Sequence, residues 1–92
     1  MQIRVKFYLG FRELFGDKEK EIELPGKADI KDLLGILCDS EQRRQKVFDN
    51  CGQLSKYINM LKNGRDVRFL QGTETKLQEG DVVTMFPPVG GG

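Results

Sequence analysis

Ninety-two residues are enough for one domain with a single core, which at this size buries roughly 60 to 65% of the unfolded surface, and they leave no room for two. Fifteen basic and fourteen acidic residues, interspersed along the chain, give a net charge of +1 and exclude a nucleic-acid binder that works through a basic face. No apolar run approaches the roughly 18 residues of a membrane span, and the two isolated cysteines, with no histidine, suit neither a disulfide framework nor a zinc site. The N-terminus runs straight into an alternating pattern instead of a signal-peptide hydrophobic region. We therefore expect a cytoplasmic protein that binds no metal, nucleic acid or membrane.

In chain order, Ile3, Val5 and Phe7 alternate with Arg4, Lys6 and Tyr8, the period of a strand with one buried face. Tyr8 falls on the opposite face, where a large aromatic is less expected. A loop is expected from Gly10 to Lys20, and a second strand from Glu19 to Leu24, ended by Pro25-Gly26. The two strands are read as an antiparallel hairpin. Ile30, Leu33, Leu34, Leu37 and Cys38 then form one apolar stripe at helical spacing, with Asp29 placed to cap it and Asp32 adding negative charge in the first turn. Gly35 lies off the stripe, which signals either tolerance or close packing. Cys38, on the stripe, is read as core.

A second, short helix is expected between Ser40, its cap, and Asp49, anchored by Val47 and Phe48. Its Arg43, Arg44 and Lys46 are read as a solvated face in preference to a phosphate site. Cys51 follows in a loop as an exposed thiol without a neighbour to activate it. A third strand is predicted over Tyr57 to Leu61, a tight turn at Asn63-Gly64, and a short returning edge strand over Val67 to Leu70. A polar connection anchored by Leu77 leads to the last strand, Asp81 to Phe86, with Val83 and Met85 directed to the core and Thr84 and Phe86 outward. If the first and last strands are neighbours, Tyr8 and Phe86 share the exposed side, and an aromatic pair there reads as a docking surface. Strands, one good helix and strands again make an α+β domain in the order of a β-grasp, or ubiquitin-like, fold: a mixed sheet of about five strands with one main helix on one face and a short second helix.

The chain ends Phe86-Pro87-Pro88-Val89-Gly90-Gly91-Gly92. The prolines lack the N–H that a ladder needs and stop the strand, so we divide the chain into a domain, 1–86, and a tail, 87–92. The tail could span ~20 Å at ~3.3 Å per residue. Its only reactive group is the Gly92 carboxylate. Two readings stand, a frayed terminus and a carboxylate presented for chemistry. A carboxylate is a poor electrophile until an oxygen becomes a good leaving group, and this sequence carries neither a phosphate-binding glycine spacing nor a histidine to serve as general base. If chemistry occurs at Gly92, the chain is a substrate or a subunit and not a complete catalyst.

Val5-Lys6-Phe7-Tyr8 with Arg12-Glu13-Leu14-Phe15-Gly16, Leu77-Gln78-Glu79-Gly80-Asp81-Val82-Val83, and Phe86-Pro87-Pro88-Val89 before the glycines resemble the MoaD family, the small sulfur-carrier subunit of molybdopterin synthase. The resemblance covers most of the chain and is weakest from Asp39 to Ser55; a third terminal glycine is a further departure. It implies that an ATP-dependent adenylyltransferase related to ubiquitin-activating enzymes adenylates Gly92, and that sulfur then replaces the adenylate as a thiocarboxylate. It also implies a large, MoaE-like subunit, assembled with this chain as a heterotetramer, that moves the sulfur to the pterin precursor of the molybdenum or tungsten cofactor. Gly90 and Gly91 would thread that subunit's channel, while Phe86, Tyr8 and Arg12, with Pro87, Pro88 and Val89, would face the partner. ATP would be used by the activating enzyme, with no cofactor bound by this chain. The same fold and tail would also suit a ubiquitin-like modifier joined to lysines through Gly92, or a thiamin-pathway carrier.

Overall fold

The computed structural model of the chain describes residues 1–87. Five strands, β1 (Gln2–Phe7), β2 (Glu19–Glu23), β3 (Asn59–Lys62), β4 (Arg65–Asp66) and β5 (Val82–Phe86), form one mixed sheet in the order β2-β1-β5-β3-β4. The central pair, β1 and β5, is parallel, and every other pairing is antiparallel. Three helices, α1 (Gly10–Phe15), α2 (Ile30–Leu37) and α3 (Glu41–Val47), complete the regular structure with two short 3₁₀ turns at Val67–Phe69 and Gly72–Glu74. This is the β-grasp arrangement, with the main helix contributing its stripe to the core under one face of the sheet.

The core follows the two periodicities. Ile3, Val5 and Phe7 from β1, Val83 and Met85 from β5 and Met60 from β3 are buried in one cluster with Ile30, Leu33, Leu34 and Leu37 of α2. Asp29 and Asp32 close a reciprocal capping box at the start of α2, each carboxylate accepting the other residue's backbone N–H at 3.0 Å, which satisfies donors the first turn leaves free. Ser40 caps α3 in turn, its hydroxyl accepting the Arg43 N–H. Asn63 and Gly64 both have positive φ, as the tight turn between β3 and β4 requires. Asn63 then continues along β5, its side-chain amide donating to the buried Asp81 carboxylate at 2.9 Å and its oxygen accepting the Val82 N–H.

Four expectations change. Residues 10–15 form a helix where a loop was expected. Phe11, Leu14 and Phe15 lie at i, i+3 and i+4, a period too short to recognise alone, and burial decides it: the Phe15 ring stacks on Phe7 at 4.5 Å and meets Phe11 edge-on at 6.0 Å. The returning strand is Arg65–Asp66, and residues 67–69 turn away as a 3₁₀ segment. The Asp66 carboxylate accepts the Arg68 N–H at 2.9 Å and competes with the ladder, while Val67 drops into the core. The third strand starts at Asn59, because Tyr57 and Ile58 donate to Ser55 in a turn. Finally, Arg43 is half-buried and structural. It bonds the Leu14 carbonyl at 3.1 Å and Asp39 at 2.7 Å, and lies over the Phe15 ring, tying α3 to α1. Arg44 and Lys46 stay exposed on the solvated face, as expected.

Two predictions follow from this packing. A methyl group on Gly35, exposed within α2, meets nothing within 4 Å, so the glycine is tolerated and not required. Gly35→Ala is expected to raise the unfolding free energy by about 0.5 to 1 kcal/mol in urea titrations. Cys38 is buried, and desolvation pushes its thiol pKa up from 9.0 to about 11. With the folded pKa above the unfolded one, its contribution to stability is complete below pH 9.0 and is lost as the pH rises toward 11. Urea unfolding across that range should therefore show a decline that is smaller in Cys38→Ala, and native protein should react with a thiol reagent at Cys51 alone.

Candidate functional site: the root of the C-terminal tail

The parallel β1–β5 ladder brings the start and the end of the chain together. Its register pairs Phe7 with Met85, and the Tyr8 N–H donates to the Met85 carbonyl at 3.1 Å, one step beyond β1. Tyr8, 39% exposed, thereby takes the register position beside the half-buried Phe86. Arg12, on α1, fixes this corner: its Nε donates to the Phe7 carbonyl at 2.9 Å and its guanidinium lies 5.1 Å from the centre of the Tyr8 ring. Tyr8, Phe86 and Arg12 therefore share one site at the point where β5 hands over to the tail. Pro88, Val89, Gly90, Gly91 and Gly92 lie outside the described residues.

Two residues that the sequence did not single out complete the site. Leu9 turns the chain from β1 into α1 at φ 55°, ψ −137°, a region that glycine normally occupies, and it is 61% exposed. No sequence signal marks a leucine for this conformation. Asn59, opposite Phe86 in the β3–β5 register, donates from Nδ2 to the Pro87 carbonyl at 3.4 Å. Its Oδ1 accepts Arg68 Nη2 at 3.3 Å, and Arg68 is held by Asp66 at 2.7 Å. The Arg68 hydrogen bond holds the Asp66 carboxyl below its ordinary pKa and raises that of the guanidinium. Pro87 cannot donate to a ladder. Hydrogen bonding at the tail root thus passes from backbone to a side chain steadied by an ion pair.

A groove of about 340 Å³ adjoins Pro87 between α1 and α3, with Phe11 and Leu14 supplying apolar surface and Glu13, Gln42 and Lys46 polar surface. A depression of about 730 Å³ lies around α3 and the following loop, and none of the predicted site residues lines it. Among the described residues no group of three His, Cys, Asp or Glu side chains could hold a metal, and no helix is long and apolar enough to cross a membrane. Asn59→Ala removes a bond at each end of the amide and is expected to lower the unfolding free energy by about 1 kcal/mol, measured by chemical denaturation.

The family model described as the ThiS family matches residues 5–92. Small archaeal modifier protein 3 of Haloferax volcanii is 34% identical over 93 aligned residues that cover all of both chains. A candidate sulfur carrier protein of Archaeoglobus fulgidus is 32% identical, again over the whole of both. Among solved structures, a candidate molybdopterin converting factor subunit 1 from Pyrococcus furiosus superimposes with a TM-score of 0.78 at 35% identity, covering 97% of this chain and 99% of that one. Tail, sheet order and whole-length similarity agree, and the chain belongs to the ThiS family of ubiquitin-like sulfur carriers and modifiers.

Proposed function

We propose that this chain carries sulfur for building the pterin dithiolene of the molybdenum or tungsten cofactor, as the small subunit of a molybdopterin synthase. The observation that carries this reading is the 35% identity, over nearly the full length of both chains, to the Pyrococcus furiosus converting-factor subunit. The Phe86-Pro87-Pro88-Val89 ending supports it. In this reading the Gly92 carboxylate attacks the α-phosphorus of ATP on a separate E1-like adenylyltransferase and releases pyrophosphate. A sulfur nucleophile then displaces AMP from the acyl carbon to leave a thiocarboxylate. The large subunit receives Gly90, Gly91 and Gly92 in its active site, where the thiocarboxylate sulfur bonds to the pterin and water then cleaves its bond to the Gly92 acyl carbon, returning the carboxylate, in a cytoplasmic heterotetramer. Tyr8, Phe86 and Arg12 form the surface on which it docks, with Pro87, Pro88 and Val89 leading into the channel. The chain supplies position and the acyl group; its partners supply the catalysis.

Whole-length similarity to the Haloferax volcanii modifier favours a second reading, in which a lysine amine of a target protein attacks the same activated Gly92 to form an isopeptide. The two readings share the activation step and differ in the nucleophile that follows.

Removing Gly91 and Gly92 is expected to abolish sulfur transfer to the pterin while leaving the thermal midpoint unchanged; dithiolene formation by the truncated chain would overturn the carrier reading. Phe86→Lys is expected to weaken binding to the large subunit roughly tenfold or more, by calorimetry, with cooperative unfolding retained. Intact mass of the chain from its own cells, with the C-terminal peptide fragmented, separates the two readings. Oxygen replaced by sulfur at Gly92 supports the carrier, and Gly92 joined to lysines of other proteins supports the modifier.

A further inference from the structure

The region between α2 and β3, where the resemblance to the MoaD family is weakest, builds one wall of a second groove. Its loop is internally braced. The Asp49 carboxylate accepts the N–H groups of Cys51 at 2.8 Å and Gln53 at 3.0 Å, and Asp49 and Gln53 also share a backbone bond of 2.7 Å. Phe48 and Leu54 pair across the loop, and Ser55 donates back to the Val47 carbonyl, which returns the chain to the core. The wall is therefore preformed, and a ligand meeting it would not have to order it first.

The groove holds about 610 Å³. Half-buried Phe48 and Leu54, both packed against the core, give it apolar surface, while Val67 in its lining is itself buried. Every charged residue in its lining is a cation, Lys31, Lys56 or Arg68, although the chain has fourteen acidic residues. Arg68 is paired with Asp66, but among the described residues neither Lys31 nor Lys56 has an ion-pair partner. The aromatic residues next in sequence to two of these cations are open to solvent, Tyr57 at 63% and Phe69 at 87%. None of Tyr8, Arg12, Phe86 and Pro87 lines this groove, although Arg68, which does, also bonds the Asn59 that holds the Pro87 carbonyl.

We propose that this groove binds an extended acidic segment of a partner protein, with an aromatic or aliphatic side chain against Phe48 and Leu54 and carboxylates meeting Lys31 and Lys56. Charge complementarity selects the occupant: with Arg68 neutralised by Asp66, a basic segment would still be repelled by Lys31 and by Lys56, whose ammonium lies 5.2 Å from the centre of the Tyr57 ring, and an uncharged one would leave both without a counter-charge. The apolar floor adds a requirement that a simple polyanion does not meet. The inference rests on the groove alone and is independent of what Gly92 carries.

The test is a titration of the full ¹⁵N-labelled chain with an acetylated peptide bearing a phenylalanine among aspartates and glutamates, and with its lysine counterpart. The acidic peptide should shift the amides of Lys31, Gly52, Leu54 and Lys56, more weakly as salt is raised, and the basic peptide should not. Lys31→Glu and Lys56→Glu should each reduce affinity by about threefold to tenfold, and replacing the peptide's phenylalanine with serine should weaken it further. Shifts centred on Tyr8 and Phe86, equal binding of the two peptides, or absence of binding at millimolar peptide would each overturn the proposal. So would concentration-dependent self-association through this groove, since a second copy could offer the glutamates of its own β2 edge.

Discussion

The parallel pairing of β1 with β5 is the constraint on which the rest of this structure depends. It joins residues separated by most of the chain, Arg4 opposite Val82 and Phe7 opposite Met85, so closing it costs more chain entropy than any local contact. Burial offsets that cost. Ile3, Val5 and Phe7 on one strand and Val83 and Met85 on the other are fully removed from solvent, each side chain contributing about 1.5 to 3 kcal/mol against α2. The remaining strands then attach to a central pair that is already fixed, β2 outside β1 and β3 outside β5.

The same pairing creates the tail root. A strand buried at the centre of a sheet is a rigid support, and β5 is central until Phe86, where proline ends its capacity to donate. The positions on either side are held by different means: Tyr8 by one further backbone bond and the Arg12 guanidinium, and the Pro87 carbonyl by Asn59 with Arg68 behind it. The exposed, positive-φ Leu9 lies in the same corner. Its conformation costs free energy that the surrounding bonds must hold, Phe11 N–H to Tyr8 and Arg12 N–H to Leu9 among them. A platform assembled from the two distant ends of the chain keeps its geometry as long as the fold is intact.

The tail root and the groove differ in character. Around the tail root the exposed groups are aromatic and aliphatic beside one arginine, whereas the groove under the 48–55 loop combines an apolar floor with lysines. The two surfaces meet at Arg68, which lines the groove and bonds the Asn59 that holds the Pro87 carbonyl.

Local chemistry makes much of this legible in the sequence. The stripe from Ile30 to Cys38, the caps at Asp29 and Ser40, the Asn63-Gly64 turn and the alternation in β1 and β5 each depend on neighbours within a few residues, and the structure has all of them. The aromatic pair of Tyr8 and Phe86 was legible as two outward positions, but their adjacency required the β1–β5 pairing. What the sequence did not reveal was settled by contacts between distant segments. Phe11 and Phe15 become helical because Phe7 is there to stack on, Arg43 is drawn inward by the Leu14 carbonyl and the Phe15 ring, and Asn59 gains its role only because β3 lies beside β5. The sequence by itself determined the secondary elements whose signals are local, and the character of the glycine ending. The tertiary structure decided which residues meet at the tail root, because strand order and the burial of distant side chains are properties of the assembled core and not of any one segment.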